Sequence, residues 1–226
     1  MRSFDQSLRA AVIDAPLVIS SMAQECDIGP DVDTHDMRPL DWLLLLNSTF
    51  NQPPWSQGSA VAAAYATASA VDPALAYASI NADYSLSCGN VAIASAAKSG
   101  AFKSALYVVL NQWHPEHTAA QQRPRWAFHG FDYGAAFEQW DDMKIAPTVQ
   151  DLEFGAYMRS VFAAFIYGNS VPDIRTVDSD PAFPTNFVTN VVSIGSGGSV
   201  ATVNYKSDQC HMWSRMGLDE RFWWIN

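Results

Sequence analysis

Two short apolar runs that do not alternate with polar residues constrain this chain most: residues 15–21 (APLVISS) and residues 105–110 (ALYVVL). A strand with one wet face alternates apolar and polar side chains, whereas a strand covered on both faces reads as a continuous run. The first run, which follows a break in polarity and carries Pro16, is expected to be a buried parallel strand. The second is expected to be another buried strand. The stretch between them is helical in character. Residues 40–46 start a helix, 59–70 are rich in alanine, and Asp72-Pro73 supplies an N-cap followed by proline at the first helical position. Residues 83–98 read as a further helix, closed by Ser99-Gly100.

After the second strand, Thr148 and Asp151 have the spacing of a capping box, and Phe154, Met158, Val161, Phe162 and Phe165 recur at helical intervals as far as Gly168. Residues 188–194 and 200–205 are β-rich and flank a glycine-serine turn at 195–199, the pattern of a hairpin. A last helix is expected over 207–217. No internal repeat or linker interrupts the chain, so residues 1–226 are read as one domain.

Composition removes several function classes. The 226 residues carry a formal net charge of -10 and no Lys/Arg cluster, a field that repels nucleic acid and anionic membrane surfaces. The longest purely apolar run, Trp42 to Leu46, is far short of the roughly 20 residues a bilayer span needs. Asp5 and Asp14 interrupt any apolar segment near the start, so residues 1–21 do not read as a signal peptide. Cys26, Cys88 and Cys210 lack metal-type spacing and leave room for one disulfide and one thiol.

Two segments are candidates for chemistry. His129 lies in an aromatic setting with Gly130 behind it and Asp132 three residues on. An imidazole is suited to moving a proton near neutral pH when a carboxylate orients its second nitrogen. Taken alone, such a histidine is more often an ordinary packed loop residue. Glu25 follows the first strand, where α/β enzymes place their sites, although an isolated loop acid is more often simply solvated. Other clusters carry less. His114 and His117 are interrupted by Pro115 and lack a third metal ligand, and no cofactor motif occurs. Asp27, Asp31, Asp33 and Asp36 lack the EF-hand glycine and read as a solvated loop. The turn at 195–199 has no phosphate-binding frame, and the tryptophan-rich tail at 222–225 reads as a packing element.

Six segments in this order resemble the carboxylesterase type B (cholinesterase-like) family. They are the strand and acid loop ending at Glu25, the Asp83 to Cys88 helix start, the His129-Gly130-Phe131-Asp132 signature, the helix from Phe154 to Gly168 with Asn169, the late strand from Phe187, and Cys210-His211-Met212-Trp213. The resemblance implies the C-terminal portion of an α/β-hydrolase fold, with parallel strands flanked by helices and incomplete without its N-terminal half. It implies Glu25 as triad acid, His129 as triad base, Asp132 as a supporting acid, and a Cys88–Cys210 disulfide, which leaves Cys26 as the odd thiol. It further implies a small-molecule ester substrate, no cofactor, a complementing N-terminal half as partner and a secreted location, with which the Asn47-Ser48-Thr49 glycosylation triplet agrees. The nucleophile of such enzymes sits in a G-x-S-x-G elbow ahead of the acid, and no such elbow occurs here. The expectation is therefore a fragment or one half of a split enzyme. The other class is a non-catalytic cholinesterase-like adhesion module or an inactive fragment; an adhesion module needs neither Glu25 nor His129.

Overall fold

The computed structural model describes residues 10, 15–25, 37–51, 57–115, 126–168, 173–193 and 198–217. Cys26, the acidic residues at 27–36, His117, the turn at 195–197 and the tail at 222–225 lie outside them, as does most of the leading segment.

The framework is a four-stranded mixed sheet in the order β1 (Leu17–Met22), β2 (Leu106–Asn111), β3 (Val188–Ser193) and β4 (Gly198–Val203). β1, β2 and β3 run parallel, with Leu17 opposite Leu106 and Val109 opposite Asn190, while β3 and β4 pair antiparallel. Both apolar runs thus form neighbouring strands, the first starting two residues and ending one residue later than the pattern predicts, the second shifted one residue later. Between β1 and β2 lie α1 (Pro39–Phe50), α2 (Gly58–Ala64), α3 (Ala66–Val71), α4 (Pro73–Ala82), a π-helical turn (Asp83–Ser87) and α5 (Cys88–Ser99). Between β2 and β3 lie α6 (Phe131–Ala136), α7 (Trp140–Met143) and α8 (Val149–Ile166), and α9 (Ser207–Arg215) follows β4.

Local sequence accounts for two helix starts directly. Asp72 accepts hydrogen bonds from the amides of Ala74 and Leu75 at the head of α4, and Pro73 occupies a position whose amide has no helical partner anyway. Thr148 and Asp151 form the reciprocal capping box of α8. The alanine-rich stretch departs from expectation, because it breaks into α2 and α3 at Tyr65. The cause is tertiary: Tyr65 is buried, and its hydroxyl donates to Asp83 Oδ2 at 2.8 Å. The π-helical turn and the short helices α6 and α7 are also additions to the sequence reading.

Two apolar clusters cover the sheet and a third lies among the helices. One joins Met22, Val109 and Val192 of the strands to Phe131 of α6 and Phe154 and Met158 of α8, with the rings of Phe131 and Phe154 stacked at 5.4 Å. Gly155 permits this approach, since a Cβ there would stand 2.5 Å from the Ala135 carbonyl oxygen. A second packs Leu106 and Val108 with Ala94, Ala97 and Phe102. The third holds Trp42, Phe50, Val61, Ile80 and Trp213 around the helices, where Cys88 and Cys210 form a disulfide with Cα atoms 5.0 Å apart. The pairing implied by the resemblance is present. It ties α5 to α9 across a sequence separation of 122, which the chain-entropy model values at about 4–5 kcal/mol.

Candidate functional site at the carboxyl ends of β1 and β2

Parallel strands present their carboxyl ends at one edge of the sheet, and open α/β folds place sites there. β1 ends at Met22 and turns at once, with the Ala23 amide donating to the Asn111 carbonyl at the end of β2 at 2.8 Å. This turn carries Glu25 back toward the strand end. The Met22 amide donates to Glu25 Oε1 at 2.6 Å, and the residue as a whole is only 7% exposed.

His129 comes from a different part of the chain. It sits in the turn that precedes α6, with Gly130 next to it at φ +76, a left-handed conformation that favours glycine. A Cβ at Gly130 would meet nothing within 4 Å, so the requirement for glycine is conformational. Phe128 and Phe131 on either side are buried and anchor the turn in the apolar cluster beneath.

These two turns bring Glu25 and His129 together across 104 residues, with Glu25 Oε2 2.7 Å from His129 Nδ1. A carboxylate only accepts hydrogen bonds, so in that pairing Nδ1 carries the proton and Nε2 is left as the acceptor. The two partners differ in environment, the histidine side chain being 63% exposed and the glutamate side chain 7%. Burial raises the Glu25 carboxyl above its ordinary range; the Met22 amide and His129 oppose that shift, and the nearby charge of Asp132 adds to it. The arrangement can orient an imidazole, hold a proton on one of its nitrogens and stabilise the charged ring when the other nitrogen takes a second proton.

Asp132 lies close by but contacts other groups. Its Oδ2 accepts from the Ser20 hydroxyl at 3.0 Å and from Asn111 Nδ2 at 2.9 Å, and Oδ1 accepts from the Tyr133 amide at 2.8 Å. Asn111 Nδ2 also donates to Ser20 Oγ at 3.0 Å, which joins the ends of β1 and β2 to the start of α6. Ser20 and Asn111 were not singled out from the sequence; a polar residue at the end of an apolar run is the one signal that marks them.

The remaining candidates fall elsewhere. His114 Nδ1 lies 3.4 Å from the carbonyl oxygen of the adjacent Pro115, and its ring stacks on Trp113. Among the described residues there is no cluster of three or more His, Cys, Asp or Glu that could hold a metal, and no helix is long and apolar enough to cross a membrane. Asn47 lies on α1 with its Oδ1 accepting from Asn51 Nδ2 at 2.8 Å.

Comparison with known proteins gives one line of similarity. No family model and no curated protein matches the chain. Among solved structures it is similar to PNB esterase, with a TM-score of 0.54 at 17% identity, covering 92% of this chain and 40% of that one. Another structure of PNB esterase gives 15% identity, the same coverage and a TM-score of 0.48. The chain thus spans 40% of the length of the structure it matches, and the two share a partial α/β-hydrolase fold.

Proposed function

We propose that this chain is the C-terminal part of a carboxylesterase type B enzyme, a serine-type carboxylic-ester hydrolase, and that it contributes the acid and the histidine of the triad. The observation that carries this reading is the 2.7 Å contact between Glu25 and His129, made by two turns at the carboxyl ends of parallel strands. A serine from the N-terminal part of the fold supplies the nucleophile. The likeness to part of an esterase fold supports the assignment, as does the match between the Cys88–Cys210 bond and the family pattern.

In this scheme His129 Nε2 takes the serine proton as the oxygen attacks the ester carbonyl. The same nitrogen returns the proton to the departing alcohol, and an acyl-enzyme remains. Water then attacks the acyl group by the same proton route and releases the acid. Glu25 keeps Nδ1 protonated and offsets the charge on the imidazolium, and its second oxygen is fixed by the Met22 amide. Asp132, held by Ser20 and Asn111, adds negative charge beside the pair without touching the histidine. Substrates are small carboxylic esters. The disulfide calls for an oxidising compartment, so the enzyme works outside the cell.

The test is reconstitution. The chain is joined to, or co-expressed with, an N-terminal part bearing a G-x-S-x-G serine, and p-nitrophenyl acetate hydrolysis is followed. Turnover is expected to be blocked by a serine-directed inhibitor and to fall by on the order of 1,000-fold or more in His129→Ala. Hydrolysis that survives His129→Ala refutes the reading.

A further inference from the structure

We infer that Gln24 is a positioning residue that locks the histidine turn onto the acid turn and so sets the Glu25–His129 contact; this rests on the reading of that pair given above. The turn at 126–130 belongs to no strand or helix. Its own bonds, Phe128 N to Trp126 O at 2.9 Å and Phe131 N to Phe128 O at 3.2 Å, shape it but do not register it against β1.

Gln24 provides that register. Its amide donates to the Ala127 carbonyl at 3.0 Å, and its side-chain Oε1 accepts from the Ala127 amide at 3.1 Å. One residue therefore meets both main-chain groups of Ala127, as a strand partner would, with a side-chain oxygen standing in for the missing backbone carbonyl. Ala127 is fully buried, so without Oε1 its amide would lose its acceptor in a place where the loss is costly. The other end of the side chain is also held, with Nε2 donating to Ser79 Oγ on α4 at 3.3 Å. An amide N–H accepts no hydrogen bond, so the contact with Ala127 fixes which end of the Gln24 amide is oxygen. Glu25 and His129 are one residue and two residues beyond this clamp. Asp132 ties α6 to β1 from the far side of the turn, and Gln24 ties the approach to His129.

The experiment follows the Nδ1-bound proton of His129 by NMR on the full chain labelled with 15N-histidine, with thermal melts recorded on the same samples. In the wild type a hydrogen-bonded Nδ1 proton is expected far downfield, and it should vanish in Glu25→Gln. Its absence from the wild type, or its survival in Glu25→Gln, refutes the acid–histidine reading itself. Given a signal that depends on Glu25, Gln24→Met keeps the side-chain length but lacks the acceptor, and the signal should be lost while the fold is kept. Gln24→Glu retains an oxygen for the Ala127 amide, and the signal should persist. A signal retained in Gln24→Met, or lost in a folded Gln24→Glu, overturns the role of Gln24 and leaves the pair intact. Should Gln24→Met fail to fold, Gln24→Asn, whose amide falls one methylene short of Ala127, replaces it with the same two readings.

Discussion

Of the carboxylates buried among the described residues, Asp83 and Glu25 are held in two different ways. Beside the disulfide, Asp83 is fully buried and accepts from Lys206 Nζ at 2.8 and 3.0 Å and from the Tyr65 hydroxyl at 2.8 Å. Trp213 Nε1 donates to the same Tyr65 oxygen at 3.0 Å, and the Trp213 ring packs 5.3 Å from Phe50 and 5.5 Å from Tyr84. Around Asp83 every one of these polar contacts is internal. At the ends of β1 and β2, Glu25 is buried almost as deeply, yet its partner His129 has 63% of its side chain exposed. A charge with internal partners fastens two helices, whereas under the proposed function a charge whose partner faces outward orients a nitrogen for reaction. The difference sets a structural lock apart from the proposed site.

The largest effect expected on stability comes from opening the lock. Replacing Cys88 and Cys210 together by serine should cost about 4 kcal/mol, read by denaturant unfolding, because the bond closes a long loop. A loss well under 1 kcal/mol would mean that the helical region holds itself together without the bond.

Next in size is Lys206→Met, which should cost about 3 kcal/mol at neutral pH, because Asp83 keeps a buried charge and loses its cation. Burial pushes the Asp83 carboxyl up and Lys206 pulls it down, so without the lysine the carboxyl rises further. The penalty should therefore shrink as the solution is acidified and Asp83 takes a proton. Equal losses at neutral and acid pH would break the comparison by showing that the lysine acts through packing alone.

On the site side, Gly130→Ala should cost about 1 kcal/mol from backbone strain at φ +76, since no neighbour clashes with the new methyl group. Because the strain falls beside His129, esterase activity in the reconstituted enzyme should drop by more than the stability loss explains. A change in stability with full activity retained would sink that link.

Glu25→Gln should have the smallest effect on stability, and the opposite sign. Folding raises the Glu25 carboxyl, so its ionised form is disfavoured in the native state. Its contribution is fully present below the ordinary glutamate range and is lost as pH rises through the raised value. The substitution should leave the melting temperature unchanged in acid and raise it at neutral pH. A lower melting temperature at neutral pH would place Glu25 with Asp83 as a structural acid.

Much of this comparison could be read before the fold was known. The unalternating runs gave β1 and β2, because burial on both faces leaves its mark in consecutive residues. The Thr148–Asp151 box gave the start of α8, because capping is local. Local setting made Glu25 and His129 candidates, and resemblance, not periodicity, pointed to their roles and to the Cys88–Cys210 pair. Other features were hidden for a physical reason. Tyr65 breaks an alanine-rich helix in order to reach Asp83, and no local propensity announces such a pull. Ser20, Asn111 and Gln24 act through hydrogen bonds that span 112, 91 and 103 positions, and amides and hydroxyls of this kind are common in ordinary loops.

The most direct test is a double-mutant cycle on ester hydrolysis in the reconstituted enzyme, comparing Glu25→Gln, His129→Ala and the two combined. If the pair works as one unit, Glu25→Gln alone should lower kcat by on the order of 1,000-fold, and the double mutant should be no slower than His129→Ala. Losses that multiply in the double mutant would contradict the claim that Glu25 acts through His129.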